Sequence, residues 1–426
     1  MGSGYSRRDL TGCQDPIMNQ RYFKMRNVVV VSAVRTPIGS IGGTLKNVQP
    51  ETLLSVALEG AVERAGIQKT DIDEVICGHA KQSTDQPNIA RLCALMIDVP
   101  VETPAYTVHR QCASGMQAIL SGTQQIQLGY SDVVLVGGVE SMSTAPFYIR
   151  GARFGVGNGT TQFCDPNIES QPHSQPNDKY GTFNMINTAD NVAVKDDISR
   201  EECDKFALES QRRAVAAIDS GRFKDEIVPV IIPQRKKDPI VFDTDEFPKR
   251  DTNLEKMAKL KPIFPGGVTT AGNASGRNDG ASALVLMAAE KAEAMGIKPL
   301  ARVIAGAAGG VDPRVMGLGP VAATNNLFKK FLTPMGLTKD DIGLWELNEA
   351  FASQSLGCIK ELGLEDKMDI INVNGGAIAL GHPLGCSGAR ISTTLIHEMI
   401  KRDVRYGIAT LCIAGGLGMA MCFERI

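Results

Sequence analysis

Aromatic residues are scarce in this chain, 5% of the total with a single tryptophan, and histidine is scarcer still, five in 426 residues. So few histidines leave little material for a histidine-built metal centre. The ten cysteines are scattered, with no Cys-x-x-Cys pair and no metal-ligand spacing, so no metal site is expected. No apolar run is long enough to span a membrane. The net charge is only −2 and there is no long basic run, which argues against a dedicated nucleic-acid binder while leaving room for a local basic rim that holds a phosphorylated ligand. The cysteine pattern is not that of a small disulfide-built secreted domain. Reduced thiols and a cytoplasmic location are expected, an organelle being the alternative.

What is present is apolar and glycine-rich: 43% hydrophobic residues and 44 glycines, enough for a large core and for two or three domains. Residues 1–25 differ, being polar and irregular with Gly2-Ser3-Gly4, and read as a leader or tag with Met25 as a natural start. Met1-Gly2-Ser3-Gly4-Tyr5-Ser6 also fits an N-myristoylation pattern, and Asp9 and Asp15 count against a transit peptide. From Val28 strands and helices alternate. Val28–Ser32 reads as a buried strand, Glu51–Ala65 as an amphipathic helix, Asp73–Gly78 as the start of a strand and Asn88–Leu95 as a short helix. That alternation predicts a parallel sheet covered on both faces.

One junction carries chemistry. The β-prone Ala105–Val108 leads into Cys112-Ala113-Ser114-Gly115, and a helical pattern continues to about Leu128. A cysteine where a strand gives way to a helix meets unpaired N–H groups and the positive end of the helix dipole. Such placement is expected to lower the thiol pKa to roughly 3.5–7.5. Ala113, Ser114 and Gly115 leave room for a substrate; a buried packing cysteine is the alternative. The same order recurs near the C-terminus. Gly381-His382-Pro383-Leu384-Gly385-Cys386-Ser387-Gly388 opens a helix to about Lys401, followed by the strand Ile408–Ile413 and Gly415, Gly416 and Gly418. In the first half the strand Asp132–Val136 ends at Gly137-Gly138. The repeat predicts a duplicated α/β unit whose two helix openings share one cleft.

Between about Ser141 and Gly272 the texture changes to polar loops, with one strong helix at Arg200–Gly221 opened by the capping box Ser199-Arg200-Glu201-Glu202. Compact style returns with the strand Ala283–Leu286 and a strand from Ala301. Asn348 stands where Asp340–Leu347 gives way to a helix, and Asp369–Asn374 is expected to be the strand before the Gly-His-Pro segment.

Four segments in this order resemble the thiolase family: Gln111–Met116, Asn348-Glu349-Ala350-Phe351-Ala352, Gly375–Pro383 and Leu411–Gly418, with further likeness at Met257–Pro262 and Thr270–Gly276. The resemblance runs from about Met25 to Ile426. It implies a duplicated five-layer α-β-α-β-α fold, with an N-terminal half of residues 26–148 plus 272–298, an inserted loop domain at 149–271 that binds coenzyme A, and a C-terminal half at 299–426. It also implies a homodimer or homotetramer that makes or cleaves acetoacetyl-CoA from acetyl-CoA and CoA, with a broader 3-oxoacyl-CoA thiolase as the alternative and a catalytically silent CoA- or lipid-binding relative as a remote one. No cofactor is implied, because the coenzyme A thioesters are substrates. A monovalent ion site, present in some relatives, is not readable.

By resemblance Cys112 is the acyl-accepting nucleophile, His382 its base, Cys412 the acid/base for the carbon–carbon step, and Asn348 the holder of a water in one oxyanion hole. The backbone N–H groups of Cys112 and Ala414 form the other. Ser275, Ala271, Phe264, Met185, Met316 and Phe351 line the pantetheine arm, and Lys249 or Arg250 meets a phosphate. Three departures from short-chain members stand out: Ala414 in place of glycine, Asn184 in place of histidine before Met185, and Cys386 after Gly385. They leave chain-length preference open, and the loop domain favours acetoacetyl-CoA.

Overall fold

The computed structural model describes residues 25–426, so the expected leader and its myristoylation pattern lie outside the described residues except for Met25. Strand β1 (Val28–Arg35) is buried along its length. With β2 (Glu74–His79), β3 (Ala105–Val108), β4 (Val133–Ser141) and β5 (Asn278–Ala288) it forms a sheet in the order β3-β2-β4-β5-β1. Strands β6 (Ala301–Gly310), β7 (Leu344–Leu347), β8 (Tyr406–Ile413) and β9 (Leu417–Glu424) give the order β7-β8-β9-β6. The pairing is the same in each half. β2 and β4, like β7 and β8, run parallel. β5 is antiparallel to β4 and β1, as β9 is to β8 and β6. The halves join edge to edge where Val28–Val30 pairs antiparallel with Ala301–Val303.

The sheet is therefore mixed, where strict strand–helix alternation predicts a parallel one. β9 follows β8 after only Ala414-Gly415-Gly416, and a connection that short permits an antiparallel return alone. Gly415 and Gly416 take φ of 89° and 82°, which an L side chain resists. The expected strand at Asp369–Asn374 is reduced to one bridge, Ile371 to Trp345, after a 3₁₀ segment Glu365–Ile370. Ile371 holds the place that β3 holds beside β2 in the first half. Asn372, at φ 47°, supplies the missing ladder with its side chain: its amide donates to the Leu347 carbonyl (2.8 Å) and accepts from the Leu347 N–H (2.8 Å).

Helices α1 (Pro50–Ala65) and α2 (Ile89–Met96) cover the outer face of the first sheet, and α3 (Ser114–Gln127) lies on its inner face. Alternation along the strands sets this. On β4, Val133 and Leu135 join the outer core and Val134 and Val136 the inner one. In the loop segment α4 (Met185–Asp196) and α5 (Arg200–Asp219) precede a small hairpin of Val230–Ile232 with Ile240–Phe242. α6 (Gly319–Leu327) and α7 (Ala352–Leu362) cover the outer face of the second sheet, joined there by Val192 of α4 and Ala207 of α5. α8 (Leu384–Lys401) lies beside α3 in the middle, where one core takes residues from both sheets. Five layers result, α-β-α-β-α.

Small residues make the central layer possible. Strand β4 does not stop at Gly137-Gly138 as the sequence predicts. It runs through them to Ser141, and the glycines serve close approach. A Cβ on Gly138 would collide with the Gly385 carbonyl and sit 2.9 Å from the Gly115 Cα, both backbone. Gly138→Ala is expected to cost at least about 1–3 kcal/mol, because backbone cannot swing aside as a side chain can, and the shift in thermal unfolding midpoint measures it. Among the described residues no helix is long and apolar enough to cross a membrane.

Candidate active site

The central layer brings the two halves' helix openings together. α3 begins at Ser114, two residues after Cys112, and α8 begins at Leu384, two residues after His382. Gln111 takes a left-handed φ of 48°, which turns the chain sharply before Cys112. Ser114 closes that turn, its hydroxyl accepting from the Arg110 N–H (2.9 Å) and donating to the Gln111 carbonyl (2.6 Å). The His382 turn is held from below by Asn278, whose side-chain oxygen accepts from the His382 N–H (3.0 Å). Glu140 is buried at the end of β4 and ties both sides together. It accepts from the N–H groups of Lys81 (3.0 Å), Ala80 (3.2 Å) and Gly385 (3.0 Å). Burial would raise its pKa, but the His79 hydrogen bond and charge and the Gly385 N–H outweigh that and hold it below the usual value.

Cys112, His382, Cys412 and Ala414 all line one cavity of about 350 Å³. Of the nine described cysteines only Cys112 is not fully buried. Its thiol is nevertheless pushed up to about 11, because burial outweighs the hydrogen bonds from the N–H groups of Ala414 and Cys112 and the nearby Lys81 charge. This corrects the expectation of a depressed pKa. Two favourable N–H groups do not repay desolvation of a thiolate in an enclosed site. His382 is pushed down to about 4 by burial and by Arg390, so its imidazole is neutral at ordinary pH. Its Nδ1 lies 2.6 Å from the Ser387 hydroxyl, which donates to the Pro383 carbonyl (2.9 Å). Ser387 has one proton and spends it on Pro383, so Nδ1 carries the imidazole proton and Nε2 keeps its lone pair. Burial, with the neighbouring Cys112, drives the Cys412 thiol well above its ordinary value.

The expected substrate contacts divide. Ala271, Ser275, Met185, Met316 and Phe351 are in the cavity wall. Met185, Met316, Phe351 and Cys412 also share one small apolar cluster. The segment around Ser275 lies along the start of α7, Ser275 N–H bonding the Ala350 carbonyl (3.0 Å) and Ala352 N–H the Asn273 carbonyl (2.9 Å). Asn273 shapes that segment by accepting from Thr270 N–H (2.8 Å) and donating to Asp204 (2.9 Å). Asn184 caps α4, accepting from Ile186 and Asn187 N–H groups, which accounts for an asparagine there: it is among the best N-caps.

Four of the expected residues lie outside that wall. Phe264 is not in the wall; Ile263 and Phe247 are. Arg250 is not there either, being paired with Asp219 at the end of α5 (2.7 Å). Lys249 stands one ring away, its ammonium over Phe247 at 4.9 Å. Asn348 is buried at the end of β7, its N–H on the Thr410 carbonyl (2.9 Å), and it is not among the wall residues. Both polar atoms of its side chain lack a protein partner. Glu349 beside it is structural. It accepts from Ser210 (2.6 Å), Asn372 (2.8 Å) and Ile378 N–H (3.2 Å), bracing the turn that presents Phe351.

Sequence reasoning missed Lys81, Gln111 and Arg277, all in the wall. Lys81 had a visible signal, a lysine two residues beyond a buried strand. Arg277 had one as well, a charge just before the apolar strand β5.

A half-buried cysteine, a neutral imidazole and a second, buried thiol around one cavity are groups able to carry out acyl transfer. Family models agree: the thiolase N-terminal domain matches residues 28–290 and the thiolase C-terminal domain residues 297–425. The chain is 48% identical over 402 residues to an acetyl-CoA acetyltransferase of Syntrophomonas wolfei, covering 94% of this chain and all of that one. Among solved structures it is similar to the Bacillus anthracis acetyl-CoA acetyltransferase (TM-score 0.89, 46% identity, 94% of this chain and 99% of that one). It is also similar to human mitochondrial 3-ketoacyl-CoA thiolase in complex with CoA (TM-score 0.87, 41% identity, 94% and 98%). The chain belongs to the thiolase family, and it is an acyltransferase.

Proposed function

We propose that the chain is an acetyl-CoA C-acetyltransferase that joins two acetyl-CoA into acetoacetyl-CoA and CoA, and runs the reverse thiolysis, through an acetyl group on Cys112. The observation that carries this reading is the convergence of Cys112, His382 and Cys412 on one cavity, with the Ala414 N–H on the Cys112 sulfur.

The Cys112 thiol passes its proton to His382 Nε2 while the sulfur attacks the thioester carbonyl. The carbonyl oxygen gains negative charge, which the Cys112 and Ala414 N–H groups stabilise. The intermediate collapses and expels the CoA thiolate, which takes the Cys412 proton. That leaves a Cys412 thiolate in a place hostile to charge, hence a strong base. It removes a proton from the methyl carbon of the second acetyl-CoA. The enolate oxygen is met by the protonated His382 and by a water held on the otherwise unpartnered Asn348 amide. The enolate carbon attacks acetyl-Cys112, and the departing Cys112 sulfur recovers its proton from His382. Every proton is returned and no cofactor is needed; CoA thioesters are the substrates. The working unit is a homodimer or homotetramer.

The test is thiolysis of acetoacetyl-CoA beside a long-chain 3-oxoacyl-CoA: preference for the first supports the reading, and equal or faster cleavage of the second replaces it with a broad 3-oxoacyl-CoA thiolase. Cys412→Ser is expected to slow condensation about 10²–10⁴-fold while acetyl-CoA still acetylates Cys112, read by mass spectrometry, because a thiolate leaving group needs little help and a carbon acid needs much.

A further inference from the structure

Lys81 stands in the cavity wall with Cys112, and that wall holds no Asp or Glu side chain. The fold sets the two segments side by side. Gly78 of β2 pairs with Val108 of β3 and the strands run parallel, so Lys81 and Gln111 leave the sheet as neighbours three residues further on. Adjacent strands lie only about 4.8 Å apart. Gly78 also abuts the start of α3, where a Cβ on it would collide with the backbone of Ser114 and Gly115.

Lys81 is buried, with 8% of its surface exposed. Its ammonium donates to the Pro166 carbonyl (2.8 Å) and to the Ser170 hydroxyl, which leaves one of three N–H groups uncommitted. It has no ion-pair partner among the described residues, because the carboxylates that act on it are engaged elsewhere: Glu140 by three backbone N–H groups and His79, Asp165 by the Asn167 N–H (2.8 Å). Burial without a counter-charge favours the neutral amine, and it holds Lys81 below the ordinary lysine range. A desolvated lysine amine is a nucleophile. The acetyl-transfer steps move protons among Cys112, His382 and Cys412 and leave this amine unused.

We propose that Lys81 is a self-acetylation site: when neither CoA nor a second acetyl-CoA claims the acetyl group on Cys112, it passes to the Lys81 nitrogen and the enzyme is inactivated. The inference rests on the acetyl-Cys112 reading above and adds a regulatory modification to it. The Lys81 ammonium gives one proton to the Cys412 thiolate that the first half-reaction leaves. The amine lone pair attacks the acetyl carbon, and the carbonyl oxygen takes negative charge under the Cys112 and Ala414 N–H groups. The carbon–sulfur bond then breaks, the departing Cys112 sulfur takes the second nitrogen proton, and His382 returns its own to water. In sum, acetyl-CoA and a lysine ammonium give CoA, an acetyl-lysine and one proton. Resonance makes the amide the more stable product, so CoA does not reverse the step. The amide keeps one N–H where the ammonium had three. At most one of the holds on Pro166 and Ser170 survives, and the added acetyl group stands in the cavity.

The test incubates the enzyme with acetyl-CoA for hours at mildly alkaline pH and then adds excess CoA to strip Cys112. Peptide mass spectrometry maps the acetyl groups that remain, and acetoacetyl-CoA thiolysis is assayed on the same samples. A CoA-resistant acetyl group is expected on Lys81, forming at least about tenfold faster than on the exposed Lys236 and Lys237, because the reactants are held together. Activity is expected to fall in step with it. Cys112→Ala is expected to leave Lys81 free, and CoA present throughout is expected to protect the wild type. A free Lys81 in an enzyme whose Cys112 takes the acetyl group overturns the inference and leaves the thiolase reading intact. So does a Lys81 acetylated equally fast in Cys112→Ala, which makes acetyl-CoA the direct donor, or one acetylated with activity retained. An enzyme that neither takes an acetyl group on Cys112 nor cleaves acetoacetyl-CoA overturns the thiolase reading itself.

Discussion

Cys112→Ala is expected to lower kcat for acetoacetyl-CoA thiolysis on the order of 10⁴–10⁶-fold, the scale seen when a covalent nucleophile is removed, and to abolish acetylation of the protein by acetyl-CoA. Steady-state thiolysis and intact mass measure the two losses. The same thiol decides a second observable. Burial holds it up to about 11, so free enzyme is expected to react slowly with iodoacetamide at neutral pH, the rate climbing about tenfold per pH unit toward that value. Acetyl-CoA, by occupying the cavity, is expected to protect it. A plateau already reached near pH 7 would show a standing thiolate and contradict the neutral-pair account.

His382→Ala is expected to cost on the order of 10²–10⁴-fold in kcat/KM, since base catalysis of the Cys112 attack and stabilisation of the enolate are lost together. Its pH dependence has a definite sign. The folded-state pKa lies near 4, below the ordinary 6.5. The imidazole therefore stays a competent base down to about pH 4, and kcat/KM falls only as it becomes protonated below that. Above about 11 the thiol ionises unaided and the base is no longer needed. A flat kcat/KM profile between these limits is expected for wild type, and for His382→Ala a residual rate that rises with pH across the same interval. Ser387→Ala is expected to lose less, because the imidazole survives and only its tautomer is freed.

The duplicated architecture was legible because the repeat is written in chemistry-bearing junctions. Cys112-Ala113-Ser114-Gly115 and Cys386-Ser387-Gly388 do open paired helices, which lie side by side in the central layer. Strand direction was not legible. Apolar runs announce burial, and only the three-residue connection Ala414-Gly415-Gly416 discloses that β9 turns back. Gly137-Gly138 misled for a related reason: a strand glycine marks either an end or a close approach, and the approaching partner, Gly385, is some 250 residues away in sequence. Asp369–Asn374 has strand composition, but the Asn372 side chain takes over the pairing.

At the site, residue types and order placed Cys112, His382, Cys412 and Ala414 in one wall. Their protonation states depend on enclosure, which local sequence does not encode; the helix-opening position of Cys112 pointed to a low pKa and burial reversed it. Lys81 escaped notice for a similar reason. A lysine after a strand reads as a solvated terminus until Pro166 and Ser170 close over it.

The most direct test of the account is the mass of the protein after brief exposure to acetyl-CoA alone, followed by peptide mapping at low pH. Addition of one acetyl group, mapped to Cys112, absent in Cys112→Ala and discharged by added CoA, is the predicted result. An acetyl group on another cysteine, or none in an enzyme that still cleaves acetoacetyl-CoA, would contradict the covalent role of Cys112 on which the mechanism is built.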